Sequence, residues 1–238
     1  MTNDTDGLER RLADVRSRMA SAAKRAGRAS EDLQLIAVSK THPPELLRAA
    51  IAAGVTDLGE NRVQEADGKI ADVGRENARW HLIGHLQSNK ARRAVELFDV
   101  IHSVDSIGLA RKLDRACQDL QRNDLPVLIQ VDLGHEATKS GVEENELPQV
   151  IEAVASCEHL SLIGLMTLPP FFDEPELTRP FFSQLRELRD RYSSRGAFGR
   201  HRGELSMGMT NDFQVAVEEG ATMVRVGTAI FGERGKAE

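Results

Sequence analysis

Short apolar blocks alternate with amphipathic stretches along almost the whole chain. Residues 7 to 27 place Leu8, Leu12, Val15 and Met19 at helical spacing on one face, which predicts a leading helix. The first apolar block, Leu35-Ile36-Ala37-Val38-Ser39, has the length and branched side chains of a buried parallel strand. It ends in Lys40, just before Thr41-His42-Pro43-Pro44. Pro44 opens a helix over 45–53 that Gly54 stops. The same rhythm predicts further strands at 55–58, 80–84, 100–105, 127–133, 160–166, 204–207 and 221–226. Helices are predicted between them at 62–73, 89–97, 107–121, 145–156, 175–194 and 211–219. A turn at 123–126 precedes the fifth strand, and the Arg- and Gly-rich stretch 195–203 reads as an exposed, mobile loop.

Eight strands alternating with helices fit a single α/β domain over 1–238: a (β/α)8 TIM barrel at about 34–232, with an extra N-terminal helix at about 7–27. An open doubly wound sheet would show the same alternation. The polar residues favour the barrel. Lys40, Asn61, His85, Asp105, Asp132, Thr167, Ser206 and Arg225 all fall at or just after C-terminal strand ends, where a barrel builds its active site.

Composition narrows the functional classes. The chain is 40% hydrophobic and 29% charged, and its net charge of −6 gives no electrostatic reason to expect a nucleic-acid partner. The polar start, Thr2 to Asp6, leads into a charged amphipathic segment without an apolar core of signal length. Neither a membrane nor an export route is expected, and the expected location is cytoplasmic. Cys117 and Cys157, in helical stretches and without metal-ligand spacing, read as reduced packing residues.

Lys40 is the first candidate for chemistry. A lysine at a strand end borders low-dielectric core, which disfavours the ammonium form and frees the amine to attack an aldehyde. The alternative is a lysine whose stem lies on apolar surface while its head reaches water. Anion binding is suggested at Gly227-Thr228 after the eighth strand and at Ser206-Met207-Gly208-Met209-Thr210 after the seventh, the two loops where barrels often hold phosphate. Either glycine could equally serve only its own turn. Asn61 could flank a ligand or cap the following helix. His81 and His85 lack the spacing of a metal site, and no metal is expected. Trp80 and the pairs Phe171-Phe172 and Phe181-Phe182 read as packing residues.

The strings LIAVSKTHP, GENRVQEA, WHLIGHLQSNK, IHSVDS, the segment around Thr138-Lys139-Ser140-Gly141, GLMTLPP, LSMGMTNDF and VRVGTAIFG occur in order from residue 35 to 232. Together they resemble the YggS/PROSC family of pyridoxal phosphate homeostasis proteins. The resemblance implies a barrel like the N-terminal domain of alanine racemase, with pyridoxal 5'-phosphate held as a Schiff base on Lys40. It implies phosphate contacts from the region of Ser206, Gly208, Gly227 and Thr228, and a contact from Arg225 to the pyridine nitrogen. Asn61 would flank the ring, and Lys139 would be a secondary amine acceptor. Such proteins bind, buffer or deliver the cofactor without established turnover, so a non-catalytic monomer is expected, with PLP-dependent apo-enzymes as partners. Two features depart from the family pattern: Asn211, where an acidic residue is common, and the Arg- and Gly-rich stretch 195–203.

A PLP-dependent amino-acid racemase is the alternative. A two-base racemase needs a second proton donor, a tyrosine in alanine racemase, and the one tyrosine here, Tyr192, falls in a charged helical stretch. The chain also ends soon after the eighth strand, so no second domain is expected to close a substrate pocket. A cofactor-free Schiff-base aldolase would use the same lysine and phosphate loops. Only the family strings set it aside.

Overall fold

The computed structural model describes residues 2–134 and 140–232. Lys139 lies outside them. Among the described residues the strands β1 (Gln34–Val38), β2 (Asp57–Glu60), β3 (Arg79–Leu82), β4 (Val100–Val104), β5 (Leu125–Val131), β6 (Leu160–Thr167), β7 (Glu204–Ser206) and β8 (Met223–Val226) form a closed barrel in chain order. All neighbours pair parallel, and β8 closes onto β1. Closure excludes the open doubly wound sheet.

Helices α1 (Thr2–Arg25), α2 (Pro44–Ala52), α3 (Val63–Val73), α4 (Ala91–Leu97), α5 (Ile107–Asp119), α6 (Leu147–Ala155), α7 (Arg179–Ser193), α8 (Phe213–Glu218) and α9 (Thr228–Phe231) surround the sheet. The main core lies between strands and helices. A second, smaller apolar cluster, Ile36, Val100, Leu128, Ile163, Met166 and Met223, fills the barrel itself. In α1, the face predicted from spacing is the buried one, with Leu8, Leu12, Val15 and Met19 all in the core. Each such aliphatic side chain contributes about 1.5–3 kcal/mol by leaving water. The helix packs on α8, α9 and α2, and Arg11 Nε donates to Ile230 O at 2.7 Å.

Several expected boundaries move, each for a physical reason. α1 begins at Thr2, before the first apolar residue of its stripe, and stops near Gly27, which takes φ 66°. β2 lies at 57–60 instead of 55–58, because its polar residues Asp57 and Glu60 are buried with partners and carry no hydrophobic signal. β5 starts at Leu125, so the expected turn at 123–126 is half strand, with Pro126 at its second position. The predicted helix 175–194 opens as a 3-10 turn, Pro175–Thr178, before α7. Cys157 lies just beyond α6; both cysteines are buried and free, and burial pushes each thiol up to about 11.

Residues 195–203 are a series of turns pinned at both ends. Phe198 is buried, Arg189 Nη1 donates to Gly203 O at 2.9 Å, and Arg202 pairs with Glu204 at 2.9 Å. Trp80 and Phe182 are fully buried and Phe172 stacks on Phe181, but Phe171 is 72% exposed and packs on little. No helix among the described residues is long and apolar enough to cross a membrane.

β6 and β7 approach so closely that a Cβ on Gly164 would lie 2.0 Å from the Glu204 carbonyl oxygen. Gly164→Ala should therefore force the two strands apart and cost about 1–3 kcal/mol, as overpacking does. Urea unfolding at neutral pH measures this; an unchanged midpoint would mean that β7 does not sit against Gly164.

Candidate functional site at the barrel mouth

Closure of the sheet brings three loops together. β8 pairs with β1 in the register Ile36↔Arg225 and Ala37↔Val226, so the turn after β1 and the loop after β8 leave the barrel side by side. A Cβ on Gly227 would meet the Val38 carbonyl oxygen at 3.2 Å, closer than side chains normally pack. Farther along, His42 stacks on Phe231 with ring centroids 4.9 Å apart.

Lys40 stands two residues beyond β1, half-buried, in a turn closed by His42 N–H donating to Ser39 O at 3.1 Å. Thr41 takes φ 66°, a left-handed conformation strained for a β-branched residue. Its amide donates to the Glu65 carboxylate, which holds the strained turn in place. Beneath it, Lys69 of α3 donates to Ser39 O at 2.7 Å, Glu60 Oε1 at 2.8 Å and Glu65 Oε1 at 2.6 Å. All three ammonium protons are thus spent around the turn that carries Lys40. Ser39 Oγ adds a bond to Glu60 Oε1 at 2.6 Å. Burial pushes the Glu60 carboxyl up, against the donors from Lys69 and Ser39, and its Oε2 has no partner among the described residues. Sequence reading missed this cluster. The available signal was the i,i+4 pair Glu65 and Lys69 beside a charged residue at a strand end.

Arg225 lies inside the barrel, 2% exposed, with Nη1 donating to Ser206 Oγ at 2.6 Å and Nη2 to Thr167 O at 2.9 Å. Burial pulls its pKa down to about 10, with Asp212 opposing. The Ser206 hydroxyl is therefore engaged beneath the guanidinium, and only the backbone beyond it belongs to the loop after β7. There Gly208 has φ 89°, and a Cβ would fall 2.5 Å from Ala216 Cβ. Its carbonyl accepts from Arg225 N–H at 3.0 Å. Thr210 Oγ1 accepts from Gly227 N–H at 3.3 Å and joins this loop to the one after β8. The next amides, of Thr228 and Ala229, donate to no acceptor among the described residues. Asn211 donates Nδ2 to Phe172 O at 2.9 Å, a bond that an acidic residue there would not make in its ionised form.

Asn61 follows β2 on the same rim, its backbone so close to Gly84 that a Cβ there would lie 2.4 Å from Asn61 O. It does not cap α3: the N-cap position is Arg62, without a side-chain cap bond. Asn61, Arg62, Gly84, His85, Gln87 and Lys90 line a groove of about 550 Å³. His85 Nδ1 lies 3.0 Å from Asp105 Oδ2 at the surface, whereas His81 is buried in the barrel. Among the described residues no three or more His, Cys, Asp or Glu are grouped to hold a metal ion.

Residues 11–235 match the family described as alanine racemase, N-terminal domain. A pyridoxal phosphate homeostasis protein from Aquifex aeolicus (strain VF5) is 42% identical over 225 residues, covering 94% of this chain and 97% of the relative. This chain belongs to the pyridoxal phosphate homeostasis protein family. A second family member, from Escherichia coli (strain K12), is 41% identical over 229 residues, with 94% and 95% coverage. The structure of PipY, the COG0325 family member of Synechococcus elongatus PCC7942, with PLP bound, is similar at a TM-score of 0.79 and 41% identity, covering 94% of this chain and 100% of that one.

Lys69→Met would leave the Glu60 carboxylate buried without its cation. We expect a loss of about 3–5 kcal/mol in urea denaturation, partly recovered by adding Glu60→Gln, since a neutral amide needs no counter-ion. A loss below about 1 kcal/mol, the range of exposed pairs, would show that the cluster is not holding the turn.

Proposed function

We propose that this chain binds pyridoxal 5'-phosphate on Lys40 and acts in its intracellular homeostasis, holding, buffering or delivering the cofactor without efficient catalysis. One observation carries the reading: a lysine in a strained, clamped turn, a buried arginine and two glycine loops tied by a hydrogen bond all meet at one barrel mouth. The names of the relatives and the PLP bound in PipY support it.

The donor set fits the group. When bound, pyridoxal phosphate supplies a reactive aldehyde and a conjugated electron sink. Lys40 is the amine that would hold the aldehyde carbon, and Asn61 would flank the ring from the end of β2. The backbone of 206–210, with Gly208, and that of Gly227 and Thr228, with the Thr228 hydroxyl, would hold the phosphate by charge-assisted hydrogen bonds. Arg225 has five N–H groups and uses two side-chain donors among the described residues, which leaves donors for the ring nitrogen. A guanidinium donates hydrogen bonds and does not give up its proton near neutral pH, so the ring nitrogen would stay unprotonated and the electron sink weak.

Two further features support the non-catalytic reading. Tyr192, the one tyrosine of the chain, is buried in α7 against the core and offers no second acid or base at the mouth. The arginine would stand where many enzymes place a carboxylate that strengthens the electron sink, and it counts only together with the missing second base, because alanine racemase catalyses with a similar arginine. The match to the alanine racemase N-terminal domain favours an amino-acid racemase as the second reading. Robust turnover of any amino acid by the purified protein would select it. As partners we propose PLP-dependent apo-enzymes, met by a cytoplasmic monomer.

Borohydride reduction of the PLP-loaded protein followed by peptide mass spectrometry should place a phosphopyridoxyl group on Lys40, and Lys40→Ala should lose both the label and the visible absorption band. A full band in that variant would move the linkage to another amine, with Lys139 the first to examine. Thr228→Val should weaken pyridoxal phosphate binding about ten- to a hundredfold while barely changing pyridoxal binding. Equal losses for the two ligands, measured by fluorescence titration, would take the phosphate away from this loop.

A further inference from the structure

A chain of polar side chains crosses the apolar interior of the barrel from Arg225 to its opposite end. Beyond Ser206, whose Oγ accepts from Arg225, His102 Nδ1 lies 2.9 Å from that oxygen. His102 Nε2 lies 2.9 Å from His81 Nδ1, and His81 Nε2 lies 2.9 Å from Asp57 Oδ1. Asp57 also takes bonds from Gln34 Nε2 at 2.6 Å and Thr56 Oγ1 at 2.7 Å, and lines a groove of about 670 Å³ on the far side. His81, His102 and Ser206 are fully buried. The mouth chemistry needs only Arg225 and the backbone beyond Ser206, so Asp57, His81 and His102 lack a role in it.

The donor direction of this chain is determined from its far end. Burial acts to raise the Asp57 carboxyl, but donors from His81, Thr56 and Gln34 outweigh it and hold the group below its ordinary value, so it is ionised and can only accept. His81 Nε2 must then carry hydrogen. Burial lowers the His81 pKa despite Asp57, so the ring is neutral and its Nδ1 accepts. His102 Nε2 therefore donates to it, and His102, held well below its ordinary value by burial, accepts at Nδ1 from the Ser206 hydroxyl. That leaves the Ser206 lone pairs to Arg225. The other charges near these groups are Arg79 and Asp99 at His81, Arg79 and Arg225 at His102, and Asp212 at Arg225.

We propose that Asp57, His81 and His102 are positioning residues for Arg225, a one-way donor relay across the barrel that makes Ser206 the acceptor aiming the guanidinium at the mouth. The proposal rests on the reading that Arg225 meets the ring nitrogen of pyridoxal phosphate. Asp57→Asn is the sharpest probe. The amide removes the charge that fixes the direction while keeping the far-side shape: with its oxygen at His81 Nε2 the relay runs as before, and with its nitrogen there it donates, both tautomers reverse and Ser206 faces two donors.

Two measurements test it. In the cofactor-free protein, nitrogen NMR should show both imidazoles neutral and protonated at Nε2 through the pH range where free histidine titrates. In Asp57→Asn an Nδ1-protonated population should appear at both. With pyridoxal phosphate bound, Asp57→Asn and Ser206→Ala should shift the pH midpoint of the cofactor absorption by about one unit, a tenfold change in the equilibrium. Lys40 should remain labelled in both. A wild-type His102 protonated at Nδ1 would overturn the relay. A wild-type relay with unshifted midpoints in both variants, while Arg225→Gln does shift, would make these residues merely structural and overturn the proposal. An unshifted Arg225→Gln would overturn the ring-nitrogen assignment and the proposal with it.

Discussion

A guanidinium buried inside a closed barrel is the constraint on which the mouth depends. An uncompensated charge in such a place costs several kcal/mol, and beside the polar chain from Ser206 to Asp57 the interior holds Ile, Leu, Val and Met. The fold meets the cost with neutral acceptors aimed at Arg225: the Ser206 hydroxyl from β7 and the Thr167 carbonyl at the end of β6. The carbonyl of Gly208 takes its backbone amide. Each acceptor belongs to a strand end or the loop after it. Placing the charge therefore also sets where those loops leave the barrel, and with them the amides available to an anion.

The lysine depends on a second buried charge in the helix layer. Lys69 and Glu60 sit between the sheet and α3, and their bonds end on the turn beside Lys40. The two clusters differ in kind. The one around Arg225 is inside the barrel and linked mainly to neutral groups; the one around Lys69 is outside it and pairs one ammonium with two carboxylates, Glu60 and Glu65. Lys40 and Arg225 are thus held by separate supports that share no side chain.

The alternation of strands and helices, the barrel and the mouth residues were legible in the sequence because apolar blocks mark parallel strands and polar residues mark their C-terminal ends. What stayed hidden was polar and buried. Asp57, Glu60, His81 and His102 sit in strands and look like surface residues to any hydropathy pattern, yet all are buried. Their role follows from partners that lie 21 to 104 residues apart for the two histidines, and no local pattern encodes such pairs. The displaced β2 has the same origin. Ser206 was legible as a mouth residue but not as the acceptor for Arg225, because that pairing needs the strand register. Phe171 looked like half of a packing pair, and only the path of the chain after β6 shows it reaching solvent.

The seam between β1 and β8 has a consequence in time. Lys40 follows the first strand, whereas Arg225 lies in the last and Gly227 and Thr228 follow it, and the pairing of the two strands spans nearly the whole chain. A ribosome delivers β1 long before β8, and a strand pairing of such separation must wait for loop closure to be repaid. The nascent chain therefore carries Lys40 without the loops that come to flank it. The mouth is assembled only when the final strand docks, so whatever site these loops build exists only in the completed barrel.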